Sequence, residues 1–89
     1  MDTRSVEQLS SNIIRALKER GLLLPDTSVD VGTPLLSSGL IDSFGLVEIL
    51  EILESVSGLS IPSGRVSPQD LDTVGSMIKV VAKWGKKVY

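Results

Sequence analysis

Apolar residues recur at helical spacing in three separate stretches of this chain, and prolines and glycines forbid a helix between the first and the second. Val6, Leu9, Ile13, Ala16 and Leu17 form one stripe, with Glu7, Gln8, Asn12, Arg15 and Glu19 on the other side. This predicts an amphipathic helix from about Ser5 to Arg20. Thr3 or Ser5 would cap its start, Ser5 together with Gln8, and Gly21 would end it in a left-handed turn. Residues 22–41, LLLPDTSVDVGTPLLSSGLI, hold Pro25, Gly32, Pro34 and Gly39 among apolar side chains. They are expected to form a long ordered loop that lies over the helices and buries part of its Leu, Val and Ile content. Any strand at Ser28 to Val31 is too short to carry the fold.

The second stripe runs through Leu46, Ile49, Leu50, Leu53 and Val56, with Asp42 at the N-cap, Ser43 opening the helix and Gly58 closing it. After Ile61-Pro62 and a Ser-Gly-Arg turn, Ser67-Pro68 starts a short helical turn through Leu71. So short a helix must be held by packing. Asp72 or Thr73 caps a last helix with Val74, Met77, Ile78, Val81 and Trp84 on one face. Lys83, Lys86 and Lys87 lie near its end, where cations suit the helix dipole and read as a solvated terminus. The expected fold is all-α: three main helices, a short third helix and a long loop between helices one and two. One domain spans residues 1–89, with a core from 3 to 85 and frayed ends.

Composition removes most catalytic chemistry. The 89 residues include no cysteine and no histidine, which excludes disulfides, thiolate metal sites and the commonest general base. We therefore expect no catalytic residues, no metal and no enzyme activity. No stretch reaches the roughly 20 apolar residues of a membrane span, and MDTRSVEQLSS has no apolar signal core, so a cytoplasmic protein is expected. Net charge is only −2, yet Gly21 to Gly64 contains no Lys or Arg, while Asp26, Asp30, Asp42, Glu48, Glu51 and Glu54 all fall there. An acidic field of this kind repels nucleic acid and draws basic protein surfaces.

Two residues break the pattern of the second helix. At about 100° per residue, Phe44 falls beside Glu48 and Glu51, and Val47 falls at the edge of that polar face. Apolar anchors among carboxylates suit a protein-docking strip; the alternative is that Phe44 tucks beneath the long loop as core. Ser43 itself is either a capping serine, worth about 1 kcal/mol against alanine, or an accessible hydroxyl at a helix N-terminus. There, free backbone N–H groups and the dipole would favour a phosphodiester.

SSGLIDSFGLVEILEILE, residues 37–54, resembles the phosphopantetheine attachment region of acyl carrier proteins. In that family an Asp-Ser-Leu or Asp-Ser-Met tripeptide follows Gly-Leu and opens a helix with glutamates on its exposed face. Asp42-Ser43-Phe44 after Gly39-Leu40-Ile41 matches it here. The resemblance extends over nearly the whole chain, since the order of helices, the Leu- and Pro-rich loop and the midway serine follow the same plan. It implies a four-helix bundle of acyl-carrier type and a 4′-phosphopantetheine group attached to Ser43. That group comes from coenzyme A through a phosphopantetheinyl transferase that also reads Asp42.

The resemblance further implies a monomer whose arm holds acyl intermediates as thioesters, as in fatty acid, polyketide or nonribosomal peptide biosynthesis. Its partners would be a loading ligase and downstream transferases or synthases. Leu40, Ile41, Phe44 and Val47 would supply apolar contact, and Glu48, Glu51 and Glu54 would steer basic surfaces. Phe44 and Gly45 depart from the fatty-acid carriers, which points to a stand-alone aminoacyl or peptidyl carrier as the alternative. A helical interaction module without an arm is the alternative from another class.

Overall fold

The computed structural model describes residues 3–87, with side chains from Ser5 onward. The expected fraying of the extreme ends lies outside the described residues. Three α-helices account for the three stripes: α1 (Thr3–Glu19), α2 (Leu46–Ser57) and α3 (Val74–Trp84). Ile13 and Leu17 of α1, Ile49, Ile52 and Leu53 of α2, and Val74, Met77, Ile78, Val80 and Val81 of α3 form a common core. Val6, Leu9, Ala16, Leu46, Leu50, Val56 and Trp84 pack at its margins. The radius of gyration, 12.0 Å, is the value of about 12 Å expected of one compact domain of this length.

Several helix ends follow the local signals. Gly21 (φ 78°) and Gly58 (φ 72°) take the left-handed conformation that stops α1 and α2. Thr73, not Asp72, caps α3, its Oγ1 accepting the Ser76 N–H at 3.0 Å. Ser5 does not cap α1, because that helix has already begun by Thr3. A cap by Thr3 falls on a side chain outside the described residues. Pro68–Leu71 is a 3₁₀ turn rather than an α-helix, and the Asp70 carboxylate accepts the Ser67 N–H at 3.0 Å.

The loop of residues 20–42 contains no strand. It is ordered by what it touches: Leu23, Leu35 and Ile41 are buried in the core, and Leu22, Val29 and Leu36 are partly buried. Its backbone is tied to the start of α3, where the Gly75 N–H donates to the Val31 carbonyl at 2.9 Å and the Leu35 N–H to the Asp72 carbonyl at 2.7 Å. One element was not foreseen. Leu59–Ser60 (β1) and Lys86–Lys87 (β2) form a two-residue antiparallel pair, Leu59 opposite Lys87, which joins the ends of α2 and α3.

Candidate functional site

Ser43 stands where the loop becomes helix. Asp42 is extended (φ −67°, ψ 148°), and Ser43–Gly45 forms one 3₁₀ turn that leads directly into α2. The side chains on either side point to opposite fates. Ile41 is 2% exposed and belongs to the core, while Phe44 is 90% exposed. Ser43 is exposed, and its hydroxyl has no hydrogen-bond partner among the described residues.

Asp42 accounts for the turn. Its Oδ1 accepts the Phe44 N–H at 2.8 Å, and its carbonyl accepts the Gly45 N–H at 2.8 Å. The Leu46 N–H bonds the Ser43 carbonyl. The three amides that follow Ser43 are thus all engaged. The expected set of free N–H groups beside the hydroxyl is reduced to that of Ser43 itself, because the Asp42 carboxylate already fills the capping position that an anion would take. What the geometry offers at Ser43 is access and a fixed backbone.

The position is fixed from below by close packing. A Cβ on Gly45 would lie 2.9 Å from Ile41 Cγ2 and 3.2 Å from Leu22 Cδ2. Gly45 is buried, and its lack of a side chain lets the first turn of the helix sit against the loop. Ile41 completes the anchor, its N–H donating to the Leu35 carbonyl at 2.8 Å. The sequence carried a signal for this role, since a glycine at the start of an amphipathic helix is destabilising unless something approaches it closely.

The surface beside Ser43 is narrower than the set of residues expected to face partners. Phe44, Val47 (65% exposed) and Leu40 (45% exposed) are apolar and open to solvent, which removes the alternative of Phe44 as core. Ile41 is a correction: it is buried, because it is the loop's anchor, and offers no contact surface. The three glutamates also divide. Glu48 is half-buried at the edge of the apolar strip, and Glu51 accepts from Arg20 Nη1 at 3.0 Å across to the end of α1. Glu54 is half-buried too, and its Oε2 accepts the Ile61 N–H at 2.8 Å, so this carboxylate also holds the chain after β1.

A residue outside the expected set organises the approach to the site. Asp72 Oδ1 accepts the N–H groups of Leu35, Leu36 and Ser37 at 3.1, 2.7 and 2.9 Å, and Oδ2 accepts the Ser37 hydroxyl at 2.7 Å. The Ser37 N–H and hydroxyl, followed by the other amides, hold its carboxyl below the ordinary carboxylate range despite some opposing desolvation. No sequence rule marks this function, because Asp72 reads locally as a helix cap and its partners lie more than thirty residues away.

Among the described residues no three His, Cys, Asp or Glu side chains gather as a metal site, and no helix is long and apolar enough to cross a membrane. No protein-family model matches the chain, and no curated protein matches it.

Proposed function

We propose that the chain is a carrier protein of the acyl-carrier type, with Ser43 as the attachment point of a 4′-phosphopantetheine arm. The observation that carries this reading is the exposed Ser43 hydroxyl, unpartnered among the described residues and held between two buried residues, Ile41 and Gly45, at the mouth of a glutamate-bearing helix. The order of the elements supports it too: three helices, a long tethered loop and a short turn before the last helix. The group supplies a terminal thiol on which acyl or aminoacyl cargo is held as a thioester.

The chain's own part is to present the oxygen. In the modification, Ser43 Oγ forms a bond to the β-phosphorus of coenzyme A, the diphosphate bridge breaks, and adenosine 3′,5′-bisphosphate leaves. The hydroxyl proton passes to a base on the transferase, since this chain has no histidine to take it. A tether of this kind raises the concentration of cargo at any docked enzyme, and brief docking lets the cargo move on. Phe44 and Val47, with Glu48 beside them, supply such a docking strip. A loading ligase and a downstream transferase or synthase are the partner classes.

Gly45 no longer argues for one cargo over another, because packing against Ile41 and Leu22 accounts for it. Phe44 remains the departure that points to a specialised stand-alone carrier, acyl or aminoacyl. Intact-protein mass before and after incubation with coenzyme A, magnesium and a broad-specificity phosphopantetheinyl transferase tests the proposal. Gain of one phosphopantetheine, abolished by Ser43→Ala, is the expected result. An unmodified Ser43 would leave the exposed Phe44–Val47 strip as the surface of an interaction module that carries no arm.

A further inference from the structure

The charge of this molecule is divided along its length. Helices α2 and α3 both end at the β1–β2 seam, so the C-terminus of α3 lies at the end away from Ser43. The 12 residues of α2 alone separate the two ends by about 18 Å. From Thr73 to Lys87 the chain carries Lys79, Lys83, Lys86 and Lys87 and no carboxylate. Helix α3 and the residues that follow it are basic, whereas the loop and α2 carry carboxylates.

The basic residues do not simply radiate into solvent. Arg65, from the turn after β1, and Lys79 and Lys83, from α3, line a cleft of about 310 Å³ together with Trp84 and Val80. Arg65 Cζ stands 5.5 Å and Lys83 Nζ 5.1 Å from the centre of the half-buried Trp84 ring. Cations held by an indole face in this way are positioned before any ligand arrives, which lowers the ordering entropy that flexible side chains otherwise lose on binding. The carboxylate in the cleft wall is Asp70, and its Oδ2 is occupied by the Ser67 N–H and hydroxyl.

We infer that this cleft is a binding site for a small organic phosphate, its anionic group between Arg65, Lys79 and Lys83 and its carbon framework against Trp84 and Val80. Three cations around one concavity match a multiply charged phosphate better than a single carboxylate. The guanidinium also offers a planar pair of donors suited to phosphate oxygens. The concave shape favours a discrete anionic group over a flat polyanionic surface. The inference does not depend on Ser43 and concerns a face built by α3 and the turn after β1.

Trp84 is the only tryptophan, so its emission reports on the cleft directly. The full chain is titrated at constant ionic strength with ADP, with inorganic phosphate, and with phosphatidylcholine vesicles containing phosphatidic acid. A saturable change is expected with ADP and a weaker one with inorganic phosphate. Lys83→Gln and Arg65→Gln should each weaken the apparent affinity by about tenfold, and Lys18→Gln on α1 should not change it. Circular dichroism checks that each variant keeps its helices. A response confined to the vesicles keeps the phosphate site and assigns it to a lipid headgroup. No saturable response to any probe, or one that survives both cleft substitutions, overturns the assignment.

Discussion

Asp72 grips Ser37 twice, one carboxylate oxygen accepting its N–H at 2.9 Å and the other its hydroxyl at 2.7 Å. Six residues before Ser43, this clasp fixes the loop that delivers the serine to the start of α2.

The clasp makes stability depend on pH. The folded-state pKa of Asp72 is depressed, so its contribution is fully present above the unfolded value and is lost as pH falls through the folded one. Thermal melts of the wild type and Asp72→Asn should therefore differ most near neutral pH. The gap should shrink below about pH 4. A gap that stays constant into acid would show that the carboxylate charge is not what holds the loop.

Gly45→Ala should destabilise the fold. The new methyl meets Ile41 Cγ2 at 2.9 Å and Leu22 Cδ2 at 3.2 Å. Overpacking of this kind costs about 1–3 kcal/mol, partly offset by a helix-propensity gain of up to about 1 kcal/mol. Ile41→Leu removes the contacting Cγ2 branch, so it should cost less in the Gly45→Ala background than alone. Denaturant midpoints of the four proteins measure that coupling.

Phe44→Ala should leave stability within about 0.5 kcal/mol of wild type, because the side chain touches little of the fold. On the proposed carrier function, transfer to partner enzymes should slow. Rates of loading on the modified protein, compared with melting temperature, separate a docking role from a structural one.

On the same proposed function, Glu48→Lys combined with Glu51→Lys should slow partner transfer while preserving the helices. The Arg20–Glu51 pair that is lost is an exposed one and contributes roughly 0–1 kcal/mol. Equal turnover with every partner, across a range of ionic strengths, would remove the steering role.

Gly85→Ala should loosen the seam between the ends of α2 and α3. Its Cβ would lie 2.6 Å from the Val81 carbonyl oxygen and 2.7 Å from Leu59 Cδ1. The expected loss is about 1–3 kcal/mol, read from urea midpoints. If Lys86 and Lys87 then exchange their amide hydrogens faster while the α1 amides do not, the damage is local to the seam.

The three helices, the glycine stops after α1 and α2, the Asp42 cap and the short turn at Pro68 were legible in the amino-acid sequence. Each depends on residues within about four positions of one another, and the hydrogen-bond pattern and periodicity of a helix make such information local. The same reading placed Ile41 on the surface, gave Glu54 only a steering role and left Asp72 as one of two candidate caps beside Thr73. Those assignments were decided instead by packing that no local pattern encodes: Ile41 in the common core of the three helices, Glu54 on the Ile61 amide beyond the end of α2, Asp72 on residues 35–37. Periodicity says which face of an element is apolar. Only the packing of loop against helix decides which polar groups must satisfy buried amides and which side chains are left to meet another molecule.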